Sequence, residues 1–241
     1  MPLPILLEDF KLALYAIGDL HLSLKTNKPM DVFGGNWIDY TKKIKTGFNI
    51  LKPDDVCVLC GDLSWGMNMD DSLEDLLFID NLPGKKIIIK GNHDYWWDTV
   101  SKMKTFFAIN NITSIEILHN NYFLYENIAV CGTRGWFNDD GLNAEQNKKV
   151  MTRELMRLEA SLSAASDIET KICFFHYPPR FKNTVNHDII SLMIKYNVKR
   201  CFYGHLHGEG HHSAFTGPAD GIEYELVSAD FIDFIPAIVK V

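Results

Sequence analysis

The chain has 241 residues, 46% hydrophobic and 23% charged, with a formal charge of −7 at pH 7. That composition is ordinary for a globular protein with a sizeable core, and the length suits one α/β domain over residues 1–241. The negative balance argues against a general nucleic-acid binder, whose footprint is basic, while a local cationic centre still leaves room for an anionic substrate. No apolar stretch approaches the roughly 18 residues of a membrane span. The opening MPLPILLEDFKLALY, with its Glu8-Asp9 pair and no basic leader, is a poor signal peptide.

In chain order, LALYAIGDLH (12–21) is an apolar run ending abruptly in Gly, Asp and His. A helical pattern over 38–51 leads to VCVLCGD (56–62), which ends the same way, and a second helical pattern over 70–81 leads to KIIIKGNHD (86–94). A third helix is predicted over 96–109. FLYENIAVCGTRGWF (123–137) reads as two short strands turning at Glu126-Asn127. Residues 144–165 read as a long helix on which Arg153, Glu154, Arg157 and Glu159 form a solvated face. KICFFHYPP (171–179), a helix over 186–196 and KRCFYGHLH (199–207) complete the series. The last 21 residues alternate like strands of a second sheet or its edge.

Near-continuous apolar runs of this length read as strands buried on both faces. Strand, polar tip, helix, strand is the layout of an α/β domain, where function gathers beyond the carboxyl ends of the strands. The five tips are therefore expected on one rim. Cys57 and Cys60 stand three apart on one strand, so they point to opposite faces and share neither a metal nor a disulfide. With Cys173 and Cys201 they read as buried reduced thiols and suggest the cytoplasm.

The rim would hold Asp19 and His21, Asp62, Asn92, His93 and Asp94, His176, and His205 and His207. Asp19-Leu20-His21 and His205-Leu206-His207 both use i, i+2 spacing, which on an extended segment sets two side chains on one side. Imidazole, carboxylate and amide oxygens suit Zn, Mn, Fe or Co, and so many donors exceed the four of one tetrahedral site. Two ions sharing a carboxylate account for the surplus. His119 and His187 lack this placement and read as solvent or cap residues, and His211 and His212 as loop residues beside the site at most.

GDLH (18–21), GD (61–62), GNHD (91–94), FHYPP (175–179) and GHLH (204–207), in this order, resemble the motifs of the calcineurin-like metallophosphoesterases over residues 14–207. The resemblance implies a four-layer sandwich, two mixed β-sheets flanked by α-helices, and two divalent ions. It assigns Asp19, His21 and His207 to one ion, Asn92, His176 and His205 to the other, and Asp62 to both. His93 would assist the leaving group and Asp94 would cap a helix or orient a neighbour. The implied reaction is attack of a metal-bridging hydroxide, in line, on a phosphodiester or small phosphomonoester.

GDLSWGMN (61–68) lacks the Arg that many protein phosphatases carry in this motif, so phosphate clamping falls to Arg134 or Arg180. Trp65 and Trp96, with Trp97, Tyr95 and Tyr177, follow the motifs closely enough to line a pocket mouth for a nucleotide-like or other planar leaving group. The competing reading of these rings is simple helix-to-sheet packing. The alternatives to a small-ester phosphohydrolase are a non-catalytic scaffold of the same fold, a protein Ser/Thr phosphatase, or a single-metal or oxygen-dependent enzyme, the last disfavoured by the surplus of ligands.

Overall fold

The structure, a computed structural model, describes residues 13–137 and 141–240. The opening stretch read as a poor leader lies, through residue 12, outside the described residues. In the first sheet, β1 (Leu14–Ile17), β2 (Val56–Leu59), β3 (Lys85–Ile88) and β4 (Ile115–Ile117) run parallel in that order. Their crossovers carry α1 (Tyr40–Gly47), α2 (Leu73–Asp80) and α3 (Val100–Ile109).

A hairpin of β5 (Phe123–Tyr125) and β6 (Ile128–Thr133) opens the second sheet, and α4 (Ala144–Ala164) crosses to β7 (Thr170–Phe175). A short ribbon of β8 (Arg180–Phe181) and β9 (Thr184–Val185) precedes α5 (His187–Lys195) and β10 (Val198–Tyr203). β11 (Gly217–Ala219) and β12 (Ile222–Leu226) extend this sheet, whose order is β11-β12-β10-β7-β6-β5. β13 (Ala237–Ile238) returns to pair antiparallel with β1.

Side-chain alternation stacks these parts into four layers. From the first sheet, Ala16, Val58, Cys60, Ile87 and Ile89 meet Val130, Ile172, Phe174 and Phe202 of the second in one buried layer. The alternate residues Ile17, Cys57, Leu59 and Ile88 pack outward on the first helical layer. Cys131, Cys173, Phe175, Cys201 and Tyr203 do the same against α4 and α5. Cys57 and Cys60 thus fall in different layers, as their spacing requires. All five cysteines are free and buried, and burial pushes the thiol pKa up.

The five tips do not share one sheet. Three follow β1, β2 and β3, and two follow β7 and β10 of the other sheet. A strand covered by a second sheet reads in sequence like one covered by helices, since both faces are buried either way. The two rims are laced together: Gly18 N–H donates to Val227 O (2.7 Å), and Val227 N–H to Tyr203 O (2.8 Å).

The predicted helices hold to within a few residues at their ends, and side-chain caps from Thr99, Asn143 and Asn186 set the starts of α3, α4 and α5. The face of α4 expected in solvent is only partly so. Glu154 is buried and accepts from Thr133 Oγ1 (2.6 Å) and Arg157 Nη1 (2.6 Å).

Lys86 is an unusual strand residue, fully buried on the α2 side of β3. Its Nζ donates to the carbonyls of Asp80 (3.1 Å), Leu82 (2.7 Å) and Gly84 (2.8 Å), so it closes the carboxyl end of α2, where the helix dipole favours a cation. Burial holds its pKa down to about 8. Lys86→Met keeps the bulk and strips the donors. We expect it to lower unfolding free energy by roughly 1–3 kcal/mol in urea melts with far-UV circular dichroism unchanged. A midpoint equal to the parent's would show that Lys86 does not support the helix end.

Candidate metal centre

Each functional side chain sits just past a strand, where the chain turns sharply. Asp19, His21, Asp62 and His205 have positive φ (61°, 44°, 52° and 72°), a region non-glycine residues rarely occupy and one that recurs at active sites. The glycines beside them are needed for room. A Cβ on Gly91 would collide with the Asp62 carboxylate, and one on Gly204 with that of Asp19. Asp94 fixes the loops after β2 and β3 to each other. Its buried carboxylate accepts from the N–H groups of Asp62 (2.9 Å), Leu63 (2.8 Å), Ser64 (3.3 Å) and Gly91 (2.7 Å) and from Trp96 Nε1 (2.9 Å). It therefore orients neighbours and caps no helix; Thr99 caps α3.

The donors of the resemblance converge in two groups. His21 Nε2 lies 3.2 Å from His207 Nε2, which is 3.3 Å from Asp19 Oδ1. On the other side, Asn92 Oδ1 lies 2.5 Å from His176 Nε2 and 3.0 Å from His205 Nδ1. Asp62 Oδ2 stands between them, 3.7 Å from His21 Nε2 and 3.5 Å from His176 Nε2. Its other oxygen accepts from the His93 N–H (2.8 Å).

Hydrogen bonds fix which ring nitrogen faces inward. His176 Nδ1–H donates to Cys60 O (3.0 Å), leaving the Nε2 lone pair toward Asn92 and Asp62. His207 Nδ1–H donates to Asp230 Oδ1 (2.9 Å), leaving its Nε2 toward Asp19 and His21. Such a carbonyl or carboxylate behind an imidazole is the usual support of a metal-ligating histidine. Burial, reinforced by neighbouring imidazoles, holds His21 and His176 well below the ordinary histidine pKa, so they are neutral. Burial, then Asp94 and Asp19, pushes Asp62 up. Burial also works against a charged His207, but Asp19 and Asp230 outweigh it and push that pKa up to about 10.

The residues fit a divalent cation. Neutral His176 turns its free Nε2 on Asp62 Oδ2 and Asn92 Oδ1, acceptor against acceptor, and buried Asp19 Oδ1 lies 3.3 Å from His207 Nε2. More positive charge at their midst is what such a cluster favours. Asp19, His21 and His207 form one set of mutually close ligand atoms, and Asp19, Asp62 and His176 another.

Above the cluster opens a cavity of about 540 Å³, lined by His21, Asp62, His93, Trp65, Trp37 and Phe33. Trp65 stacks on His21 at 4.9 Å between ring centroids and lies 4.5 Å from His93. The other expected substrate residues lie elsewhere. Trp96 is buried in the core, drawn in by its Nε1–Asp94 bond. Arg134 turns toward Glu154 (3.3 Å), while its carbonyl accepts from the N–H groups of His176 and Tyr177. Arg180 pairs with Asp220 and lies over Phe215.

Two contributors escaped the sequence reading. Asp230 holds His207 and lies 3.3 Å from His211 Nε2, and Trp37 packs against His21 and His207. Asp230 follows β12 in LVSAD, a polar tip after a strand like the others, and that was the available signal. Trp37 gave none. His212 is exposed, and His211 joins the site through Asp230.

The family model of calcineurin-like phosphoesterases matches residues 12–209. Among solved structures, the chain is similar to a phosphopantetheinyl hydrolase from Mycobacterium tuberculosis, with a TM-score of 0.58 at 15% identity over 95% of this chain and 96% of that one. It is also similar to a protein of unknown function from Aquifex aeolicus, with a TM-score of 0.48 at 16% identity over 94% of this chain and 95% of that one. No curated protein matches the chain. At 15% identity the phosphopantetheinyl hydrolase structure speaks to the fold alone, and the family match together with the donor cluster speaks to the chemistry. The chain belongs to the calcineurin-like phosphoesterases and is a metal-dependent phosphoesterase.

Proposed function

We propose that the chain acts as a single domain and hydrolyses small phosphate esters, monoesters or diesters, with two divalent ions. In this reading Asp19, His21 and His207 hold one ion, Asn92, His176 and His205 the other, and Asp62 both. The observation that carries it is the position of Asp62 Oδ2, between the inward nitrogens of His21 and His176. Asp19 also approaches both groups, yet it reaches His176 through Nδ1 (3.6 Å), the nitrogen engaged by Cys60 O. Asp62 is therefore the better shared ligand.

Two divalent ions (Mn, Fe, Zn or Co), when bound, lower the pKa of water and place positive charge against phosphoryl oxygens. The protein's own part is placement. Asp62 pins the His93 backbone, Trp65 packs its ring, and the imidazole lines the cavity beside the cluster. From there His93 is positioned to hand a proton to the leaving oxygen. Trp65, Trp37 and Phe33 offer an apolar wall to that leaving group, which supports a substrate with a planar or apolar portion, nucleotide-like esters among them. The five buried thiols support a reducing compartment, the cytoplasm.

Activity should follow the metal. Chelator-stripped protein should not hydrolyse an aryl monoester or aryl diester, and Mn²⁺ should restore turnover. In the reloaded enzyme, His93→Ala should lower kcat by roughly 10²–10⁴-fold with metal content kept. Asp62→Asn should lose bound metal and turnover together. Chelator-resistant turnover, or a His93→Ala enzyme as fast as the parent, would overturn this reading.

Trp65→Ala should raise KM for aryl esters roughly two- to tenfold, the range for losing one aromatic contact. Metal content, measured by elemental analysis, should stay at the parent's level. An unchanged KM would remove Trp65 from the substrate wall.

A further inference from the structure

A second cavity, of about 360 Å³, shares no lining residue with the first. Lys90, Arg134 and Arg157 line it, with His119, Trp97 and Thr99. Three cations therefore face one space. Their counter-charges are few. Asp98 lines the cavity but is engaged by Lys102 Nζ (2.9 Å) and the Thr99 N–H (2.7 Å). Buried Glu154 takes Arg134 Nη2 (3.3 Å), Arg157 Nη1 (2.6 Å) and Thr133 Oγ1 (2.6 Å) at once. One carboxylate thus serves two guanidinium groups.

Donors remain over. Among the described residues Lys90 makes no hydrogen bond or ion pair, and Arg134 Nε is buried without an acceptor. His119 has its pKa lowered by burial and then by Arg157, so it adds a neutral ring and no further charge. Thr99, the N-cap of the ten-residue α3, also opens here, bringing the positive end of a helix dipole. A half-buried cluster of this kind repels itself unless an anion joins it. Forked guanidinium donors beside an ammonium match an oxyanion with three or more acceptor oxygens better than a single carboxylate does.

We infer that this cavity is a second, metal-independent binding site for a phosphate-like oxyanion. The occupant is either a free anion or a second phosphate carried by a substrate; the recognition chemistry is the same. The site adjoins the metal cluster through the backbone. Lys90 leads directly into Gly91-Asn92, and the Arg134 carbonyl accepts from the N–H groups of His176 (3.1 Å) and Tyr177 (2.8 Å).

The test is calorimetric titration of the metal-loaded full chain with inorganic phosphate, repeated after chelation. Two classes of phosphate site are expected before chelation and one after. Lys90→Gln and Arg157→Gln should each weaken the chelator-resistant class at least tenfold. Lys90→Gln gives up no hydrogen bond or ion pair, only the longer-range attraction of Asp94 and Glu154, and matching melting curves would verify that folding is kept. If Lys90→Gln also raises KM only for esters bearing a second phosphate, the occupant belongs to the substrate. If KM is unchanged for every ester, the occupant is a free anion. Absence of chelator-resistant binding at millimolar phosphate, or affinities equal to the parent's in both variants, would overturn the proposal. The assay reads binding without metal, so its outcome stands apart from that of the two-ion reading.

Discussion

The centre depends first on a carboxylate that is not expected to touch metal. Asp94 gathers four backbone N–H groups and an indole N–H, and in doing so it clamps the chain after β2 to the chain after β3. Without it those N–H groups would be buried and unpaired, at a cost of about 1–3 kcal/mol each. The positive φ of Asp62 and the close approach of Gly91 both lie within this clamp. Asp62 is thereby aimed with one oxygen on the His93 N–H and the other toward the histidines.

From that anchor the site extends by mutual support. Cys60 O and Asp230 turn His176 and His207 so that their free nitrogens face inward, and Asp19 Oδ2 receives the His205 N–H (2.9 Å). The result is a pocket of buried rings and crowded carboxylates, costly by itself and comfortable around cations. The overall charge of −7 matters little to it, because distant surface charges are screened beyond about 10 Å.

The gathering of these side chains was legible because each follows an apolar run and breaks its pattern at once. The helices were legible from their periodicity. What the sequence concealed depended on partners far along the chain. Nothing local separates strands of two sheets from strands of one, since burial on both faces gives the same composition. Glu154 looked like a solvated helix residue because its cations and Thr133 meet it only after α4 docks on β6. Arg134 and Arg180 looked unengaged and aimed at the metal centre for the same reason: their acidic partners lie 20 and 40 residues away. Trp96 read as a pocket ring, while its Nε1 served Asp94 from behind.

The layer between the two sheets is wholly apolar where Val58, Cys60, Ile87 and Ile89 meet Val130, Ile172 and Phe174. Apolar contacts resist separation but are indifferent to a small slide, being non-directional. At the rim the cluster draws Asp62 and Asn92 from one sheet and His176 and His205 from the other. Any ion held there acts as a cross-brace against shear, adding its own binding free energy to the stability of the whole. Repacking that apolar layer, far from any ligand, would then be felt as a change in how tightly the protein keeps its metal.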